Sequence, residues 1–523
     1  MPLAGEPGTL QSRINVVATL SSQLGLRLNP AKCKSLHLSG KTPVGTRPTT
    51  FTVYGTPIPS ISDFEAHTFL GRPVGFSVLP DQATVDEAIN VGRRLLTSML
   101  APWQRLDAVK TFVFPALNFA MRCGSLGKAE WSRLDTTLRP LIKRTLYLPA
   151  NAANDYLYGS STAGAIGIPV AAEVSDICRI DNAFKLLSSA DTEAQDLALQ
   201  ALIVVTCRRL RRIAEPGDMD AYLSGETEGD LGATATQLQS VWTEARKASR
   251  RLGVTWEFEQ DGSRISRGDI TLGPRKRTKV VKTLRTALAN ARDHDVHQKP
   301  SQGKVMECVA ADRSSSHLVP TGQFTRFADW RFVHRARLNV IPLNAARPWA
   351  TAVDQRCRIC GGQPETLPHV LCHCMTHSQA YTNRHNQIVN RVKAAASAKF
   401  TVTHENRPVG NTNLRPDPVL CRGEEANIID VTCPFENRPA ALNAARQGKE
   451  EKYQPVREYL LRKFQKVTVE AIIIGALGSW DPRNDRVMRR FCSRIYLRLF
   501  KKLAVSETIA ASRDIYAAHI AAK

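Results

Sequence analysis

The chain has 523 residues, 71 Lys and Arg against 48 Asp and Glu, and a formal charge of +23. At roughly 150 residues per domain this length holds about three or four folded units, and a hydrophobic content of 43% excludes a disordered basic tail. A folded protein with so large a positive excess favours a polyanion, and nucleic acid is the partner class it implies. No apolar run reaches the roughly 18 to 20 residues of a membrane span; the longest, near 469–477, is strand-length. The opening MPLAGEPGTLQSR lacks the basic-then-apolar order of a signal peptide, so an intracellular protein is expected.

In chain order, 10–28 has apolar residues at helical spacing and is stopped by Asn29-Pro30. Short strands punctuated by Gly and Pro are expected at 34–40, 50–59 and 67–76. Helices follow over 85–100, 106–121 and 132–148, with Ala101-Pro102-Trp103 as a hairpin turn between the first two. A Gly/Ala/Ser-rich crossing loop at 151–168 leads into a helical stretch, 169–215. An acidic, Gly-rich break at 216–233 precedes a helix at 234–251. Arg275, Lys276, Arg277, Lys279, Lys282 and Arg285 form the most basic local segment, a candidate nucleic-acid contact; a solvated helix face is the plainer reading. The C-terminal FCSRIYLRLFKK is a second such segment. Phe324, Phe327, Trp330 and Phe332 alternate with Arg326, Arg331 and Arg335; such a stripe could stack on bases but reads first as core. After about residue 379, three short strands (400–405, 417–423, 426–435), a long polar helix (439–465), a buried strand (467–477) and a basic amphipathic helix (484–520) suggest a compact α/β unit with a mixed sheet.

Twelve cysteines are scattered except for four between Cys357 and Cys374. The spacing Cys357-x2-Cys360-x8-His369-x4-Cys374 suits a closed, tetrahedral, structural Zn²⁺ site. Cys357 and Cys360 share a tight turn in which Gly361-Gly362 supplies the backbone freedom, and His369 and Cys374 are expected on about one and a quarter turns of helix. Cys372, His373 and His377 compete for the fourth ligand.

Asp417 and Asp430 stand thirteen residues apart, each at or near an expected strand, so a hairpin would bring their carboxylates together. Paired carboxylates at a sheet edge suit Mg²⁺, whose bound water can attack a phosphodiester. Asp430 lies in the apolar run Ile428-Ile429-Asp430-Val431, where an unbound carboxylate is costly. Lys449 and Lys452, one turn apart on the next helix, could orient that water or offset phosphate charge. The bland alternative is turn chemistry and a surface ion pair. Glu436 is a possible extra ligand, and Tyr453 is read as packing against or holding the lysine.

Arg415-Pro416-Asp417, Ile429-Asp430-Val431 and Lys449-x2-Lys452-Tyr453, directly after a Cys/His cluster, resemble the restriction-like endonuclease of site-specific non-LTR retrotransposons, within the PD-(D/E)xK nuclease superfamily. The R-two-type elements, which insert into ribosomal RNA genes, carry the pattern most similar to it. The resemblance covers essentially the whole chain: GLRLNPAKCKSL, with Lys32, and the hairpin around Phe69-Leu70-Gly71 are similar to reverse transcriptase segments that follow the catalytic aspartates. It implies an α+β multidomain protein: the end of a polymerase palm at 1–80, thumb-like helices at 81–150, a helical basic linker at 151–350, a CCHC zinc knuckle at 351–378 and the endonuclease at 379–523. Asp417, Asp430 and either Lys449 or Lys452 are then catalytic with Mg²⁺, zinc is structural, the partners are double-stranded target DNA and element RNA or its hybrid, no membrane is involved, and the location is the nucleus. Two departures follow. No Asp-Asp pair occurs anywhere, so polymerase activity is not expected and the chain reads as a fragment or truncated copy of a longer polyprotein. Thr432 stands where a common superfamily pattern has Lys, which moves the lysine to the following helix. The other readings are a nucleic-acid-binding protein whose nuclease has decayed, and a maturase-like RNA-binding factor.

Overall fold

The computed structural model describes residues 3–78, 82–215, 217–232, 240–259, 262–346 and 354–522. Helix and sheet are mixed along the chain, which divides into two units, Met1–Val85 with Phe119–Glu130, and Asp86–Asn118 with Trp131–Lys523.

In the first unit, helix α1 (Pro7–Gln23) begins with a proline in its first turn, where the missing N–H costs nothing. It lays Ile14 against Val53 and Ile58. Three small hairpins follow: β1 (His37–Ser39) with β2 (Gly45–Arg47), β3 (Thr52–Val53) with β4 (Thr56–Pro57), and β5 (Ala66–Phe69) with β6 (Arg72–Gly75). The segment 50–59, expected as one strand, therefore folds back on itself. Tyr54 and Gly55 (φ 50° and 75°), like Leu70 and Gly71 (φ 49° and 76°), place both loop residues in the left-handed region. Such turns carry the twist that paired strands need.

The second unit is larger. It takes most of α2 (Ala83–Leu96) and α3 (Lys128–Thr145). The expected turn at 101–103 is present, with Pro102 opening a short helix. The helix expected over 106–121 is broken: a π turn at Val109–Val113 precedes Pro115, because proline has no N–H to give and crowds the carbonyl one turn back. Helices α4 (Ala171–Leu187) and α5 (Val241–Leu252) pack with a three-stranded antiparallel sheet, β7 (Thr255–Glu259), β8 (Gly262–Arg267) and β9 (Ile270–Leu272). Ile177, Phe184, Trp242, Trp256 and Ile265 form its core. That sheet adds three strands to a stretch, 151–350, expected to be a helical linker. Thr255–Glu259 does alternate polar and aromatic residues, but its partners Gly262–Arg267 and Ile270–Leu272 carry only three apolar residues between them. The helix expected at 234–251 is seen from Val241; 233–239 lie outside the described residues.

Helix α6 (Val280–Gln298) and helix α7 (Phe327–Arg337) lead to the C-terminal sheet. Its order is β10 (Thr401–Glu405), β11 (Pro418–Arg422), β12 (Glu425–Thr432) and β13 (Lys466–Ile473), antiparallel except for the parallel pair β12–β13. Helix α8 (Ser378–Ala396) packs against β11 and β12. The long helix expected at 439–465 is two, α9 (Arg438–Lys452) and α10 (Gln454–Leu460), because Pro455 sits at the second start. Likewise 484–520 is α11 (Asn484–Phe491) and α12 (Arg494–Ala521), the latter capped by the Ser493 hydroxyl, which accepts from Tyr496 N at 3.2 Å. Residues before the sheet are part of the same body: fully buried Arg337 donates to Leu477 O at 2.9 Å and to Ser315 O at 2.6 Å.

Buried Arg446 holds α9 to the sheet. It donates to Asp481 Oδ2 at 3.0 Å, to Asn484 Oδ1 at 2.7 Å and to Ala471 O. Arg446→Ala strands the buried Asp481 with only Arg483 beside it. A loss of about 3–5 kcal/mol is expected, read as a lower urea midpoint.

Candidate active site and metal cluster

The ladder of β11 and β12 pairs Val419 with Ile428 and Arg422 with Glu425 across a two-residue turn. Continuing that register two places beyond the Val419 pair sets Asp417 opposite Asp430. Asp430 is 3% exposed on a strand whose neighbours Ile428, Ile429 and Val431 are fully buried. Its Oδ2 forms an ion pair with Lys449 Nζ of α9 at 2.7 Å. Burial raises the Asp430 pKa, the Asp417 charge adds to that, and Lys449 opposes both. Asp417 Oδ2 accepts from Val431 N at 2.7 Å and lies 3.0 Å from His385 Nε2. Burial opposes the charge on His385, but the hydrogen bond and charge of Asp417 outweigh it and raise its pKa.

The two lysines part company. Lys449 is in the site, whereas exposed Lys452 lies over the Tyr453 ring, 4.9 Å from its centroid. Tyr453 is buried, and its hydroxyl donates to Arg415 O at 3.0 Å; burial first, then the charge of Asp430, raises its pKa. Glu436 does not join the pair: fully buried, it accepts from Leu477 N at 2.7 Å and from Ser479 N at 3.2 Å, closing the loop after β13. Two crowded acids beside one ammonium, one of them buried, fit a divalent cation with oxygen preference.

Cys357, Cys360, His369 and Cys374 converge, each offering a donor atom within 4.8 Å of the others. Cys357 Sγ is 4.0 Å from Cys374 Sγ, and Cys360 Sγ is 3.4 Å from His369 Nε2. A tetrahedron with zinc bonds of about 2.3 Å to sulfur and 2.0 Å to nitrogen has edges of about 3.8 and 3.5 Å, so the donor set is compatible with zinc. Burial lowers the His369 pKa, favouring the neutral, ligating imidazole. Gly361 takes φ 65°, so one glycine of the pair is required by the turn. The expected regular helix between His369 and Cys374 is corrected. Five residues at 100° each would put the donors about 140° apart. A π turn over His369–His373, closed by Cys374 N to His369 O at 2.7 Å, brings them to one side instead.

Of the competing donors, Cys372 faces Cys433 O at 3.8 Å and is pushed up to about 11 by burial, and His373 is exposed. His377 stays beside the cluster, its Nε2 3.0 Å from His519 Nδ1. His519 Nε2 in turn meets Glu365 Oε1 at 2.9 Å, and Arg358 Nε meets the same oxygen at 2.6 Å. Reading the sequence missed His519, Glu365 and His385. Only Glu365, in the stretch between Cys360 and His369, had a local signal.

Arg275, Lys276, Lys279, Lys282 and Arg285 are exposed, while Arg277 is spent on Ser188 O at 2.8 Å. In the C-terminal segment Lys501 is also spent, bridging Asp312 and Asp485 at 2.7 Å. The aromatic stripe divides. Trp330 and Phe332 are core, Phe327 stacks on Trp103 at 5.0 Å, and Phe324 is half-exposed beside His317. No described helix is long and apolar enough to cross a membrane.

No protein-family model matches the chain. It is 22% identical over 489 residues to the retrovirus-related Pol polyprotein from type-1 retrotransposable element R2 of Popillia japonica, covering 91% of this chain and 87% of that protein. To the Pol polyprotein from type-2 element R2DM of Drosophila melanogaster it is 21% identical, covering 87% of this chain and 38% of the relative. To the type-1 R2 Pol polyprotein of Nasonia vitripennis it is 23% identical, covering 92% and 41%. The chain thus spans most of the first relative and about two-fifths of the other two. The class these matches define is the Pol polyprotein of retrotransposable elements. Agreement over about nine-tenths of the chain makes it similar, more narrowly, to R2-type non-LTR retrotransposon proteins.

Proposed function

We propose that the chain nicks target DNA, in ribosomal RNA genes, as the metal-dependent endonuclease of an R2-type element, to start target-primed reverse transcription in the nucleus. The observation that carries this reading is the meeting of Asp417, Asp430 and Lys449 at one end of the β11–β12 hairpin. Asp417 and Asp430 would hold Mg²⁺. A bound Mg²⁺ supplies an activated water and neutralises phosphate charge. Lys449, already on Asp430, is within reach of a phosphate oxygen there and offsets charge as it develops. The Cys/His cluster holds structural zinc. The exposed residues of 275–285 contact phosphates of DNA or element RNA and supply affinity without sequence choice. The reverse transcriptase resemblance of the N-terminal part carries no paired aspartates, so copying is not assigned to it.

The test is nicking of supercoiled plasmid carrying ribosomal DNA, with Mg²⁺ and with EDTA. Nicking in Mg²⁺ alone supports the reading; nicking that persists in EDTA, or none at all, overturns it. Lys449→Ala is expected to slow nicking by about 10²-fold, on the scale of losing one positioned charge donor, and Lys452→Ala by no more than about threefold. The reverse order would transfer the role to Lys452.

A further inference from the structure

We infer that His385 is the positioning residue that aims Asp417 at the metal, an assignment that rests on the nuclease reading. His385 stands on α8, thirty-two residues from Asp417 in the chain. Its Nε2 lies 3.0 Å from Asp417 Oδ2 and 3.1 Å from Val431 O. A peptide carbonyl only accepts, so Nε2 carries the proton and donates to both oxygens. Asp417 Oδ2 also takes the Val431 N–H at 2.7 Å. Two donors fill the lone pairs of that oxygen, and Oδ1 keeps both of its own for a cation. The peptide of Val431 is thus clamped at both its N–H and its carbonyl. It follows Asp430 directly, so the same contacts tie the two acids to each other.

The ring cannot serve as the base for the attacking water, because its inward nitrogen has no free lone pair. Its other nitrogen faces Asn386 Oδ1 at 3.1 Å. The helix that carries the ring is itself anchored. Buried Arg384 donates to Leu371 O at 3.0 Å and to Ser512 Oγ at 2.9 Å, and Tyr381 donates to Val370 O at 2.7 Å. Leu371 and Val370 belong to the π turn of the Cys/His cluster. The cluster therefore bears on the carboxylate pair through a single rigid helix. This is the arrangement by which outer-shell donors tune a metal site.

The experiment uses the full, zinc-loaded chain and two variants of unequal reach. Glutamine can place its amide N–H about where Nε2 stands, whereas asparagine reaches only as far as Nδ1. His385→Asn is expected to raise the Mg²⁺ concentration for half-maximal nicking by about 10–100-fold, with His385→Gln within about threefold of wild type. Mn²⁺ binding without DNA, followed by the loss of the free-ion paramagnetic resonance signal, should weaken in the same order. An unmoved metal midpoint in His385→Asn overturns the assignment, whether or not its melting midpoint falls; so does glutamine performing no better than asparagine. Asp430→Ala is run alongside. Nicking undiminished in that variant would remove the nuclease reading itself, whereas its loss with an unmoved His385→Asn midpoint removes only the role of His385.

Discussion

Asp430→Ala is expected to lower nicking by about a thousandfold or more at saturating DNA, while the chain stays folded. The magnitude follows from the several kcal/mol of charge stabilisation that a bound cation supplies, about 4 kcal/mol being a factor of about a thousand. Asp430 is buried, pairs with Lys449 at 2.7 Å, and sits across the hairpin from Asp417. Removing it relieves a crowded pair of acids, and Lys449, about one-third exposed, turns to solvent. The melting midpoint should therefore hold or rise. Asp430→Asn, which keeps the shape and loses the charge, should be as inactive as the alanine variant. An asparagine variant that nicks at the wild-type rate would show that the charge has no part in the chemistry.

Cys374→Ala is expected to abolish zinc binding and to loosen 354–377, with Cys372→Ala keeping one zinc per chain. Structural zinc contributes on the order of 10 kcal/mol to such a module, and Cys374 is fully buried at the end of the π turn. Cys372 faces the carbonyl of Cys433 instead. Metal analysis after gentle purification separates the two, and limited proteolysis reports the loosening. Because α8 is anchored on that turn, nicking should fall with the zinc. Retention of zinc by Cys374→Ala would move the fourth ligand to His377 or His519, which stand beside Cys374.

Much of the acidic site is written locally. A hairpin with a two-residue turn pairs positions an odd number apart, and Asp417 and Asp430 are thirteen apart, so their juxtaposition needs only the turn at Gly423-Glu424. The Cys/His spacing was equally open to reading, because a tight turn and a small metal impose short intervals. The choice between Lys449 and Lys452 was not. Both lie on one face of α9, and the direction of that helix across the sheet, set by buried Arg446, decides which ammonium meets Asp430. The three-stranded sheet at 255–272 escaped notice for a related reason. Its strands are short, and their stability comes from packing against α4 and α5 more than from their own pattern.

From residue order alone came the excess positive charge, the two clusters of chemistry-bearing residues and their likeness to one kind of mobile-element protein. Each depends on composition or on spacings of fewer than about twenty residues, over which backbone geometry is nearly set by local rules. Tertiary structure alone decided that His385 donates to Asp417, that His519 and Glu365 back the cysteines, that Glu436 closes a loop and that Lys501 is spent on two acids. Apart from Lys501 and Asp485, those partners are separated by tens to more than a hundred residues, and only the packing of helices on the sheet sets which side chains meet.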